Sequence, residues 1–331
     1  MINNIQKIVI SRTDSIGDVV LTLPLTGLLK EKYPNAHLIF LGNTYTKPIL
    51  DCDNHIDEVW EWANIKNWSK AKQVSWLKEQ DVDVFIHVFP NKEIAKLAKS
   101  AKIRHRIGTS HRAYNWFTCN HRPSFTRKNS DLHEAQLNVN LLIPLGIEPK
   151  FEKEELFEFI NFQNKPDLPE KFRAILSKEK RNLVLHCKSQ GSAVEWGVDR
   201  FIELAKTLDS EKFEIFFTGT EKEAVYFREK LPEQENIHDL SGKMTLDQLI
   251  TFIAQSDILV AASTGPLHIA GVAGINAIGL FSSVRPIHPG RWQPLGNKVK
   301  VLKDTINTDF TQPLQIDLRD VKKAIESCEK K

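Results

Sequence analysis

Two α/β domains, each a doubly wound parallel sheet, are predicted by three observations on this chain: its length of 331 residues, short apolar runs alternating with helix-like segments, and a restart of that alternation after a polar stretch with two prolines. The length exceeds one ordinary core and suits two domains of roughly 150 residues each. Strands alternating with helices imply a parallel sheet covered on both faces. Hydrophobic residues make up 41% and charged residues 26%, which excludes a disordered or fibrous chain.

The first strand is Ile8-Val9-Ile10. It leads through Asp14-Ser15-Ile16-Gly17-Asp18 into a segment read as one helix from Val19, Leu21, Leu23, Leu25, Leu28 and Leu29. Further strands are expected at His37 to Leu41, Glu58 to Trp60 and Val82 to Val88. The stretch from Asn161 to Pro169 is polar and aperiodic, so the linker is placed there, dividing the chain into residues 1–165 and 166–331. In the second half, strands are expected at Asn182 to His186, Glu214 to Thr218, Ile258 to Ala261 and Ala277 to Phe281. A closing helix from Asp317 to Lys330 carries Leu318, Val321, Ala324 and Ile325 at helical spacing.

No apolar stretch reaches the ~18 residues of a membrane span, and the start carries no secretory pattern. Cys52, Cys119, Cys187 and Cys328 lack metal-binding or disulfide spacing, so a reducing cytoplasm and no metal are expected. The excess of 45 Lys+Arg over 42 Asp+Glu is small, yet no acid occurs from Lys102 to Lys128.

Open parallel sheets bind ligands at the carboxyl ends of their strands, and two such domains place chemistry in a cleft between them. Four segments fall at strand ends. Ser263-Thr264-Gly265-Pro266-Leu267-His268 follows the Ile258 strand; Ser263 or Thr264 can cap a helix, Pro266 suits its first position, and the helix start offers amide groups to a phosphate. An ordinary capped helix is the plainer alternative. Arg12 to Asp18 follows the first strand: Gly17 permits close backbone approach, and Asp18 near a helix start either partners the helix dipole or accepts a proton from a sugar hydroxyl, while Asp14 can be a cap. Cys187-Lys188-Ser189-Gln190-Gly191-Ser192 can wrap a phosphate or merely connect, and Arg285 and Arg291 can add charge to it. The acid-free stretch, with Arg104, Arg106, Arg112, Arg122 and Arg127 among Tyr114, Trp116 and Phe117, fits an anionic glycolipid acceptor, single-stranded nucleic acid or a plain solvated loop. No dinucleotide fingerprint and no nucleotide-hydrolase loop occurs.

Arg12-x-x-x-Ile16-Gly17-Asp18, Gly191-Ser192 with Trp196, Asp239-Leu240-Ser241-Gly242-Lys243-Met244-Thr245-Leu246 and Ser263 to Ala270, in that order over nearly the whole chain, resemble glycosyltransferase family 9, the lipopolysaccharide heptosyltransferases. The resemblance implies two Rossmann-like domains of GT-B type, the first binding acceptor and the second the nucleotide-sugar donor. It implies an inverting, metal-independent transfer of heptose, typically from ADP-heptose, onto a lipopolysaccharide core or related glycan, with no cofactor and no nucleic acid. Asp18 becomes the general base. Ser189, Gly191, Ser192, Gly219, Glu223, Lys243, Met244, Ser263, Thr264, Gly265 and His268 become donor residues; Arg12, Asp14, Gly17, Arg104 and Arg112 become acceptor residues. The expected setting is cytoplasmic, with peripheral contact at the inner membrane. Two positions depart from the family pattern: Ser263 stands where many members have aspartate, and Val194 where many have a basic residue. They leave as alternatives a sugar-nucleotide-binding protein without catalysis and, further off, a dinucleotide-dependent oxidoreductase.

Overall fold

The computed structural model describes residues 5–128, 130–189 and 191–330. The chain divides between Asn164 and Lys165 into two compact units. The first half of the expected linker is not a free connection: Phe162 bridges Asp53, and the Gln163 amide donates to the Cys52 carbonyl at 3.0 Å.

In the first unit five parallel strands, β1 (Lys7–Ser11), β2 (His37–Gly42), β3 (Glu58–Glu61), β4 (Val84–His87) and β5 (His105–Gly108), lie in the order β3-β2-β1-β4-β5. Ile8, Val9 and Ile10 of central β1 are wholly buried, as a strand covered on both faces requires. The strand order reverses between β1 and β4, whose ends pair through Ser11 and His87. A crevice outside the sheet is expected at such a switch point, so the segments leaving these two strands are where a ligand would meet this unit.

The helix expected after β1 is two helices, Ile16–Val20 and Pro24–Lys32. Pro24 has no amide hydrogen to continue the ladder, and the intervening residues tighten into three-residue turns such as Thr22 to Val19 and Leu23 to Val20. Gly27 is required in the second helix because a Cβ there would lie 2.0 Å from the Phe159 carbonyl oxygen.

The second unit holds six parallel strands, β6 (Arg181–His186), β7 (Phe213–Thr218), β8 (Ile237–Asp239), β9 (Ile258–Ala262), β10 (Asn276–Ser282) and β11 (Val299–Asp304), in the order β11-β10-β9-β6-β7-β8. Its switch point falls between β6 and β9, where His186 pairs with Ala261. The closing helix runs Leu318–Glu326, capped by Asp317 accepting the Arg319 amide at 2.8 Å and burying Val321 and Ile325. Strands β5, β8 and β11 were not expected; they are sheet edges with mixed sequences such as His-Arg-Ile-Gly, lacking the continuous apolar run of a central strand. The acid-free stretch is therefore not a plain loop, since it contains β5 and the short helix Asn115–Thr118.

Candidate functional site

In the first unit the segment after β1 closes around Arg12, which is 3% exposed. Its guanidinium donates to both Asp14 oxygens at 2.8 and 3.0 Å, to an Asp18 oxygen, and more loosely to Glu134 and Asn138 at 3.4 Å each. Behind it, Arg127 donates to the same Glu134 oxygen and to Asn138, both at 2.8 Å. Burial opposes the charged form of Arg12, but Asp14, Asp18 and Glu134 outweigh it and hold the guanidinium well above its ordinary value. Burial pushes Asp14 up to about 6; Arg12 opposes this and the charge on Asp18 adds to it.

Ser15, not Asp14, is the residue preceding the Ile16–Val20 helix, and its hydroxyl donates to the second Asp18 oxygen. Asp14 is therefore not a cap but half of a forked ion pair with Arg12. Thr22 donates to the Asp18 carbonyl at 2.9 Å and Tyr45 to the Asp14 carbonyl at 2.6 Å, so the backbone beneath both carboxylates is pinned. Both keep a side-chain exposure of 19%. Arg12 acts as the interior organiser of the two aspartates. Gly17 lies half-buried between Ile16 and Asp18 in the helix, while Arg104 and Arg112 are exposed and outside this network.

At the end of β4, His87 is 3% exposed, stacks on Phe85 and has no hydrogen-bond partner for either ring nitrogen among the described residues. Burial, with the nearby Arg106 charge, lowers it to about 3. A histidine that is neutral when folded costs stability as pH falls from its unfolded value toward its folded one. From about pH 6.5 to about pH 5 His87 should remove about 2 kcal/mol; urea titrations of wild type and His87→Leu should show that extra acid slope in the wild type alone.

In the second unit the loops after β6 and β9 leave adjacent strands at the switch point. Thr264 occupies the cap position of the Gly265–Val272 helix, and Pro266 its second helical position rather than the first. The Thr264 hydroxyl caps nothing: it is buried without a hydrogen-bond partner among the described residues. Ser263 is half-buried beside it, and His268 is 3% exposed inside the helix.

The β6 loop is organised by Glu195, which the sequence analysis did not single out. Its carboxylate accepts from the Ser189 amide at 2.8 Å, the Ser189 hydroxyl at 2.9 Å and the Lys188 ammonium at 2.5 Å. The Ser192 hydroxyl donates to the Ser189 carbonyl at 2.7 Å, and Gly191 turns the chain at φ +81°, while Gln190 lies outside the described residues. Past β7 and β8, the Gly242 amide donates to the Gly219 carbonyl at 2.9 Å, joining those two loops. Lys243 is exposed and donates to the Asp239 carbonyl at 2.6 Å, with Met244 half-buried next to it. Glu223 is 5% exposed and closes a capping box, accepting from the Thr220 amide at 2.6 Å and hydroxyl at 2.9 Å. Among the described residues no group of three or more His, Cys, Asp and Glu is placed to hold a metal.

The sequence profile described as glycosyltransferase family 9 (heptosyltransferase) matches residues 71–314. The chain belongs to glycosyltransferase family 9. It is 21% identical over 319 residues to the lipopolysaccharide core heptosyltransferase OpsX of Haemophilus influenzae, covering 93% of this chain and 88% of that protein. Its fold is that of the family 9 glycosyl transferase from Veillonella parvula, with a TM-score of 0.78, 19% identity and 97% and 96% of the two chains covered. It is also that of the E. coli ADP-heptose lps heptosyltransferase II, with a TM-score of 0.76, 19% identity and 97% and 98% covered.

For this glycosyltransferase the departure at Val194 has a structural reason: the side chain packs against the apolar core beneath β6. Lys188 does not stand free in its stead, since it pairs with Glu195 and lies over the Tyr226 ring at 4.6 Å. No described helix is long and apolar enough to cross a membrane.

Proposed function

We propose that this family 9 glycosyltransferase moves a heptose from ADP-heptose onto a lipopolysaccharide core or related bacterial glycan at the cytoplasmic face of the inner membrane, with inversion and without a metal. The observation that carries the reading is the carboxylate of Asp18, partly open to solvent and held from two sides by Arg12 and Ser15 at a sheet switch point. The acceptor hydroxyl gives its proton to Asp18 as its oxygen attacks the anomeric carbon. The bond from that carbon to the diphosphate breaks, and the nucleoside diphosphate leaves with the electron pair. Charge growing on the leaving group meets the amide end of the Gly265–Val272 helix. The donor assignment is supported by the E. coli neighbour named for ADP-heptose and the acceptor assignment by the H. influenzae relative named for the lipopolysaccharide core.

The buried Thr264 hydroxyl, which finds no partner among the described residues, is matched to a phosphate oxygen. A hydrogen bond to a charged group contributes about 1.5–3 kcal/mol. Thr264→Val should therefore weaken ADP binding roughly tenfold or more, without lowering thermal stability, because it removes an unsatisfied polar atom. Calorimetric titration with ADP reads this directly; unchanged affinity would remove Thr264 from the donor site.

A further inference from the structure

We infer that the Asn115–Thr118 turn of the first unit is a docking surface for an anionic lipid bilayer. Two large apolar side chains stand out there side by side, Trp116 at 59% and Phe117 at 76% exposure. They are carried on a firm platform. Buried Asn115 donates to the Thr109 carbonyl at 2.9 Å, and the Thr118 carbonyl accepts from Arg106 at 2.7 Å. A Cβ on Gly108 would sit 2.7 Å from the Asn115 amide nitrogen, so β5 and the turn are in close contact. Exposure at this spot is therefore built in by buried contacts directly beneath it.

Within the segment itself the charge has one sign. The segment from Lys102 to Lys128 carries seven lysines and arginines and no acid. Arg106 and Arg127 are turned inward onto backbone carbonyls and onto Glu134, whereas Lys102, Arg104 and Arg112 are exposed. Arg122 lies over the Trp116 ring at 4.9 Å, and the indole nitrogen already donates to the Ser110 carbonyl at 3.0 Å. The ring can thus enter an apolar layer without stranding a polar atom. Tryptophan and phenylalanine beside a cluster of cations match the layering of a bilayer edge, with acyl chains for the rings and acidic headgroups for the ammonium and guanidinium groups. Single-stranded nucleic acid would also meet cations and aromatic faces. Here one face of Trp116 is already covered by Arg122, which leaves less open ring for a base to stack on and favours lipid.

The binding itself needs no substrate. Its use rests on the proposed reading that the acceptor is a membrane glycolipid, so it is measured apart from transfer. The full chain is sedimented with phosphatidylcholine vesicles with and without phosphatidylglycerol, at low and high salt, as wild type, Phe117→Ser and the Trp116→Ser/Phe117→Ser double variant. The wild type should bind the phosphatidylglycerol vesicles, lose most binding in high salt and bind pure phosphatidylcholine poorly. The double variant should lose roughly tenfold or more in partitioning, with the single variant between the two and with unchanged thermal melting; should the double variant melt early, the single variant decides. Equal binding by variants and wild type, no preference for the acidic lipid, or tighter binding to a single-stranded oligonucleotide at the same salt would each overturn the assignment. Transfer to a soluble, deacylated acceptor should be unchanged in both variants, so a failure of docking is told apart from a failure of the proposed reaction.

Discussion

Asp18→Asn should lower the transfer rate by about 10²–10⁴ while leaving ADP affinity unchanged. Asparagine keeps the size of the side chain and one oxygen for the Arg12 guanidinium, while its amide nitrogen, in place of the second oxygen, can donate to the Ser15 hydroxyl; these two groups hold Asp18 from two sides. It cannot take up a proton at neutral pH, so the loss reports chemistry rather than shape. The donor is assigned to the second unit, around Thr264 and Gly265, so its binding is not expected to follow Asp18. Turnover under saturating donor and acceptor, set beside calorimetry with ADP, separates the two effects. A rate within a few-fold of wild type would remove Asp18 from the mechanism.

Arg12→Ala should destabilise the first unit strongly, by about 3–5 kcal/mol. The guanidinium is shared among Asp14, Asp18 and Glu134, and removing it leaves buried and half-buried carboxylates facing one another, of which, among the described residues, Glu134 alone retains a cation in Arg127. Breaking a buried network from one side costs more than the network contributes, because the remaining charges stay desolvated. The penalty should shrink in acid, since Asp14 already binds a proton near pH 6 in the intact protein and binds it more readily once Arg12 is gone. Arg12→Lys should restore part of the stability but not the fork, which only the planar guanidinium supplies. Urea denaturation at neutral and mildly acid pH checks all three statements; a loss below about 1 kcal/mol for Arg12→Ala would mean that the network is looser than its hydrogen bonds indicate.

Much of this was legible in the sequence where burial dictates composition. Strands β1, β6, β9 and β10 lie inside their sheets, and their near-continuous apolar runs stand out from the chain. The edge strands β5, β8 and β11 did not, because a strand open to solvent on one side tolerates histidine, arginine and lysine. One helix was expected where Pro24 makes two, although the proline itself was the available signal.

The site divides along the same physical line. Arg12, Asp14 and Asp18 are neighbours in sequence, so their grouping could be anticipated, but not that Arg12 would face inward. That depends on Glu134 and Asn138, more than a hundred residues away along the chain and brought in by the Glu134–Val139 helix. Glu195 and His87 were equally hidden. A glutamate that organises a loop and a histidine buried at a strand end look like any surface acid or polar strand residue until the contacts are known. At Val194 the departure from the family pattern coincides with packing, since its half-buried side chain lies against the core.

Metal-independent heptose transfer is decided by the release of ADP from ADP-heptose by the purified protein, with and without a lipopolysaccharide-core acceptor and in the presence of a chelator. ADP release should depend on acceptor, be undiminished by the chelator and be matched mole for mole by heptose on the acceptor. Binding of ADP-heptose without release under any acceptor, or release that the chelator abolishes, would contradict it.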